Sequence, residues 1–215
     1  LCLDLIGRAS AAGRILMVAH CVRFHPAWEL LADRIRDGRH GRLEVMASSR
    51  LGGEPGWGSW SEPGAREAGG GALLDLLIHD VDFLIACLGA PVATTPRLQR
   101  AGMHEVELRF PGGTVASVQG GWLTSGFPFQ ASYLARFEHA TLAYSTARPD
   151  AVVCADGREA SVIPLTGDAY RNQIGYFATC VSGGHAPRRC PPEESLLAVA
   201  TCRRIAGVST GAYPL

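Results

Sequence analysis

The segment GGGALLDLLIHDVDFLIACLG, residues 69 to 89, constrains the fold more than any other part of the chain. Placed every 100° around a helix, Leu76, Leu77, Ile78, Val81, Phe83, Leu84, Ile85 and Leu88 leave hardly a side free of hydrocarbon. A helix from Gly71 to Leu88 therefore has to be buried. Against that background Asp75, His79 and Asp82 stand at i, i+4 and i+7 and share a stripe roughly 60° wide. Gly71, Ala72 and Ala86 fall on the same side and leave space beside the polar groups for a ligand.

Two readings of the stripe stay open. In the first, Asp75 holds the His79 ring one turn away by a hydrogen bond and raises its basicity, giving an oriented acid/base near neutral pH. In the second, Asp75 and His79 are a satisfied buried pair and Asp82 caps a neighbouring backbone group. The preceding stretch, residues 52 to 71 (GGEPGWGSWSEPGAREAGGG), is rich in glycine, proline and serine and has no period. A loop near ~20 residues inside a compact domain is commonly functional, which favours the first reading.

Composition narrows the chemistry. With 215 residues and 47% apolar content the chain can build one good core, and a single domain with an appendage is expected. The 20 acidic side chains cancel 20 basic ones, so no general field attracts nucleic acid or anionic lipid. All 20 bases are arginine. A Schiff base, a phosphate-loop lysine or a lysine proton donor is thereby excluded from these residues. The 7 cysteines are scattered and never spaced C-x-x-C, which suggests neither a disulfide framework nor a zinc site and fits a reducing cytoplasm. No run approaches the ~18 apolar residues of a membrane span.

Along the chain, residues 1 to 13 read as a helix with Leu1, Leu3, Leu5 and Ile6 apolar, and Ile15 to Ala19 as a short strand buried on both faces. A helix begins at Pro26 with Trp28, Leu31 and Ile35 on one side, and Arg42 to Leu51 alternates like a strand. Three hairpins follow the buried helix: residues 104–110 with 114–122, 131–139 with 140–147, and 152–165 turning at Asp156-Gly157. Two helices close the chain, Ala169 to Gly183 with Tyr170, Ile174, Phe177 and Val181 on a stripe, and Pro192 to Gly207. The expected fold class is α+β, an open, mainly antiparallel sheet with helices packed on one face.

Other candidates lie just after the first strand. Arg23, between His20 and His25, is placed to hold a substrate oxygen or carboxylate, or else to cover the following helix. A metal site from His20, His25 and His79 can be drawn, but no ligand spacing supports it, and no metal is expected. Trp57 and Trp60 either line a sugar-sized pocket or anchor their loop.

The order MVAHCVRFHP, a helix ending near DGRHGRL, a loop with paired tryptophans, then GGG-x3-D-x3-H-D-x-D resembles the carboxyl-terminal part of the Gfo/Idh/MocA oxidoreductases. AYRNQIGYFATCVSGG matches more weakly but in the expected order. The resemblance implies that residues 1–20 are the last helix and strand of a Rossmann domain and 21–215 a substrate-binding and oligomerisation domain. It implies Asp75 and His79 as the catalytic pair, with His79 transferring a proton during hydride transfer at a sugar or polyol carbon. Arg23 falls near cofactor and substrate, and Asp82 is expected to bind substrate. The family's Gly-rich dinucleotide turn and its Glu-Lys-Pro motif have no counterpart in these residues. NAD or NADP would therefore be bound by the complete protein, and the chain reads as a truncated, inactive substrate domain. A non-catalytic binding or dimerisation module and a metal-dependent hydrolase are the competing functions. A homo-oligomer through the open sheet face is expected.

Overall fold

The computed structural model describes residues 2–62, 64–100, 102–157 and 159–207. Leu1 of the first helix, Arg158 of the third hairpin and residues 208–215 of the expected second domain lie outside that set. The order begins with α1 (Cys2–Ala11), a 3-10 turn (Cys21–Phe24), α2 (Pro26–Asp37) and β1 (Leu43–Gly53). The glycine-rich stretch holds only a 3-10 turn (Gly58–Ser61) and the one-turn α3 (Ala65–Ala68). A π-helical turn (Leu73–Leu77) then runs directly into α4 (Ile78–Leu88). Seven strands follow, β2 (Ala93–Arg100), β3 (Met103–Arg109), β4 (Val115–Leu123), β5 (Gln130–Phe137), β6 (Thr141–Ser145), β7 (Ala151–Ala155) and β8 (Ala160–Pro164). The described part ends with α5 (Ala169–Ser182) and α6 (Pro192–Ile205).

All eight described strands form one sheet in the order β2-β3-β4-β1-β5-β6-β7-β8. Every neighbouring pair is antiparallel except β1 with β4, because β1 is inserted between the β3–β4 and β5–β6 hairpins and runs alongside β4. The three expected hairpins are present. β2 was not anticipated: its sequence, ATTPRLQR, carries a proline and two arginines, which is tolerated because β2 is an edge strand with a register shift at Pro96/Leu98.

Strand parity sorts the residues. Met46, Ser48 and Arg50 of β1, Val106 and Leu108 of β3, Tyr133 and Phe137 of β5 and Leu142 of β6 point to one face and are buried. Trp28 and Leu31 of α2, Leu77 of the π turn, Val81 and Leu84 of α4 and Ile205 of α6 pack in the same core. Gly120 of β4 lets Leu77 approach so closely that a Cβ there would stand 2.2 Å from Leu77 Cδ1. The other face is open, with Val45, Leu134 and Val162 exposed among small polar residues.

One expectation needs correction, and two helices present apolar residues outward. Residues 15–19 carry no strand pairing among the described residues, since a lone strand has no neighbour to satisfy its backbone. In α1 no residue is buried. On α5 the apolar stripe is turned largely outward, with Tyr170, Ile174 and Val181 more than half exposed, while Gln173 and Cys180 are buried.

The helices are tied together by ions as well as hydrocarbon. Arg23 is 7% exposed and Asp82 fully buried, and the guanidinium donates from Nε and Nη2 to both Asp82 oxygens at 2.7 Å each. Its Nη1 donates to the Arg189 carbonyl at 2.7 Å and also pairs with Glu194. Arg189 returns the contact to the Arg23 carbonyl at 2.7 Å and lies 4.1 Å over the Phe24 ring. Breaking a buried pair on one side leaves an uncompensated charge. Asp82→Ala is expected to lower unfolding free energy by about 3–5 kcal/mol. The double change Arg23→Met with Asp82→Leu should recover much of that loss. Urea denaturation monitored by circular dichroism checks both.

Candidate functional site

The Asp75, His79 and Asp82 stripe does not face a single space. Between Leu73 and Leu77 the backbone bonds i to i+5, with the Ile78 N–H donating to the Leu73 carbonyl. The extra residue in that turn changes the angle between Asp75 and the α4 residues relative to a regular helix. Asp75 turns toward β4, where Trp122 Nε1 donates to its Oδ2 at 3.0 Å. Trp60 packs edge-on against Trp122, 5.5 Å between ring centres, so that tryptophan anchors its loop, whereas Trp57 is 68% exposed. The anticipated Asp75–His79 hydrogen bond is absent. Ala86 borders a different cavity, of about 560 Å³, together with Arg23, Cys87 and Arg189.

His79 is half-buried, and its Nδ1 is sealed from solvent without a hydrogen-bond partner. Its ring meets that of His20 edge to face, 5.9 Å between centres. His20 in turn is 5% exposed, with Nε2 3.4 Å from Asp82 Oδ1 but in no hydrogen-bonding geometry. Burial pushes the His79 pKa down from the usual 6.5 to about 3, and the charges of Arg50 and His20 add to the effect. Burial likewise lowers His20, opposed by Asp82. Both imidazoles are therefore neutral at physiological pH.

Arg23 and Asp82, expected as substrate and cofactor ligands, are bonded to each other. Four of the five guanidinium hydrogens and both carboxylate oxygens are consumed by the buried network described above. Arg23 borders the 560 Å³ cavity only with a side chain already fixed from behind.

Sequence reasoning missed a second buried pair, whose charge reaches His79. Arg50 of β1 is 5% exposed and donates from Nε to Asp80 Oδ2 at 2.7 Å, with Nη2 3.4 Å from Oδ1. Its guanidinium lies 5.3 Å from the Trp28 ring centre and 5.9 Å from that of Phe129. The Arg50 charge is felt by His25, His79, Cys21, Tyr144 and Tyr170. The signal was available. Arg50 shares the parity of Met46 and Ser48, and a strand arginine pointing into a core needs a carboxylate such as Asp80. Among the described residues no group of three or more His, Cys, Asp or Glu is placed to hold a metal ion, and no helix is long and apolar enough to cross a membrane.

Solved structures share this architecture. UDP-N-acetylglucosamine 3-dehydrogenase GnnA from Acidithiobacillus ferrooxidans superposes with a TM-score of 0.76 at 20% identity, over 96% of this chain and 65% of that one. KijD10, a 3-ketoreductase from Actinomadura kijaniata in complex with NADP, gives 0.71 at 22% identity over 98% and 65%. A levoglucosan dehydrogenase in complex with NADH and L-sorbose gives 0.74 at 18% identity over 91% and 64%. Fold and site together define the carboxyl-terminal kind of α+β domain found in nicotinamide-dependent dehydrogenases. The chain belongs to the GFO/IDH/MocA family, whose C-terminal domain profile matches residues 28–143. Mouse trans-1,2-dihydrobenzene-1,2-diol dehydrogenase is 31% identical over 124 residues, 53% of this chain and 35% of that protein. The chain thus spans about a third of that relative and about two thirds of the solved proteins.

The depressed His79 pKa makes a signed prediction. The unfolded ring takes a proton near pH 6.5 and the folded ring near 3, so stability from this group is full above about 6.5 and is lost as pH falls through that window. The His79 ring resonances in a pH titration by NMR should remain those of neutral imidazole down to about pH 4. Protonation near pH 6.5 would contradict the burial described here.

Proposed function

We propose that this chain is the substrate-side domain of an NAD(P)-dependent oxidoreductase that moves a hydride to or from a carbon of a sugar or polyol. The observation that carries the reading is His79: a neutral imidazole with a sealed, unpartnered Nδ1, on the buried helix whose motif matches the family's active-site run. The relatives named as dehydrogenases or a ketoreductase acting with NADH or NADP support the reaction class.

The residues suit one half of such a site. Two buried ring nitrogens, His79 Nδ1 and His20 Nε2, lack partners that a polar ligand beside them would supply. The sequence has no G-x-G-x-x-G turn to hold a pyrophosphate, so the nucleotide would be gripped by a Rossmann unit of which residues 1–20 form the last helix and strand. A bound nicotinamide would accept or supply the hydride. His79 takes the hydroxyl proton in oxidation and returns it in reduction. Asp75, held by Trp122, sits one turn before it as a fixed negative charge. The Arg50–Asp80 pair keeps a second positive charge out of the His79 ring.

With the nucleotide-binding unit present, His79→Ala should cut nicotinamide-coupled turnover of polyols roughly 10²–10⁴-fold while the circular dichroism spectrum is unchanged. Undiminished turnover would refute the assignment and leave the binding-module reading in its place. The open sheet face, with Val45, Leu134 and Val162 exposed, is proposed as the surface through which copies of the chain associate. Leu134→Arg should shift sedimentation from an oligomer to a monomer, and a wild-type chain that sediments as a monomer at micromolar concentration would remove the proposal.

A further inference from the structure

On β4, Val118, Gly120 and Trp122 share the face that meets the helices. Leu77 settles on Gly120, and Trp122, two residues on, reaches Asp75, which stands two residues before Leu77 in the π turn. The indole is 8% exposed, and its Nε1 donates to Asp75 Oδ2 at 3.0 Å. An indole can only donate. Asp75 is half-buried, and its other oxygen, Oδ1, accepts from no described residue. One oxygen is tethered and the other is left open.

The tether has a backing of its own. Trp60, from the 3-10 turn of the glycine-rich stretch, meets the Trp122 ring edge-on, with 5.5 Å between centres and 81° between planes. Behind it, a Cβ on Gly69 would stand 3.1 Å from Trp60 Cη2, so the Trp60 ring lies against bare backbone there. The stretch is fastened at two further points. The Glu54 N–H donates to the Leu123 carbonyl at 2.9 Å, next to Trp122 in the chain, and Arg66 pairs with Glu54 at 3.0 Å. Gly69, Trp60 and Trp122 thus form a stack that ends on the carboxylate.

A carboxylate without such a tether turns among several rotamers. Asp75 makes its one hydrogen bond to Trp122 and none to His79, so it acts on that ring through its charge, and the effect depends on where the charge is held. The charge matters most once the ring has taken a proton, because a neutral imidazole gains little from it. We infer that Trp122 is a positioning residue: its indole holds Asp75 in place for His79, and the glycine-rich stretch sets the indole through Trp60. The inference rests on the proposed function for the role of His79, whereas the bond between Trp122 and Asp75 is read without it.

The 4 tryptophans give as many indole N–H signals in the proton–nitrogen NMR spectrum of the chain, and Trp122→Phe identifies the one from Trp122. Asp75→Ala should move that signal upfield, and Trp60→Ala should shift it as well, while the signal of Trp28 stays in place. A Trp122 signal indifferent to Asp75→Ala overturns the inference. With the nucleotide-binding unit present, Trp122→Phe should lower kcat about tenfold and leave KM within about twofold, the signature of an interaction that counts in the transition state. Because Trp122 acts through Asp75, adding Trp122→Phe to Asp75→Asn should cost no further activity. A tryptophan that only supports the fold would give losses that multiply. That result overturns the positioning role, and turnover that still depends on His79 leaves the proposed function standing. Should Trp122→Phe lower the thermal midpoint, Trp60→Ala, which keeps the indole donor, takes its place and is expected to lower kcat in the same Asp75-dependent way. Turnover indifferent to His79→Ala overturns the proposed function, and the positioning role with it, even where the Trp122 signal follows Asp75.

Discussion

The fold hangs on a buried arginine that reaches across three helical segments. Arg23 leaves a four-residue 3-10 turn too short to hold itself in place, and finds Asp82 on α4, Glu194 on α6 and the carbonyl of Arg189 just before α6. Each of these groups would be costly to bury alone. Together they fix where α4 lies relative to the segment that carries His20 and His25, and hence where His20 meets His79. The placement of the candidate site is therefore set by a buried charge network.

Two ion pairs from helix positions two residues apart divide the labour. Asp82 holds Arg23 on the helix side, and Asp80 holds Arg50 on the sheet side. Burial, with the charges of Arg50 and His20, then sets the pKa of His79. A neutral imidazole is the result of that arrangement.

Much of this was readable in the sequence where a period was strong. The three hairpins, α2 with its Pro26 start, and the buried character of α4 follow from alternation, turn residues and unbroken hydrocarbon. The failures have distinct causes. β2 has the composition of an exposed edge, and its pairing depends on β3 rather than on its own residues. The stripe on α5 has helical spacing, but spacing alone does not say which side meets the core; Gln173 and Cys180 turned inward. At the site, His79 was legible from its isolation on an apolar helix. The partners were not, since Asp75 prefers Trp122, 47 residues away, and Asp82 prefers Arg23, 59 residues away. Long-range charge pairing leaves no periodic trace.

The π turn ahead of α4 has a consequence for how such a site can change. It is one residue longer than a regular turn would need, held where Leu77 fits over the bare Cα of Gly120. Deleting a single residue there would restore ordinary helical winding and swing everything before it by about 100° about the axis, while the carboxylates and imidazole after it stay put. Variation in that one position is thus a discrete dial: it re-aims the glycine-rich stretch and its tryptophan relative to His79, with buried Leu73 the core contact that has to move with them.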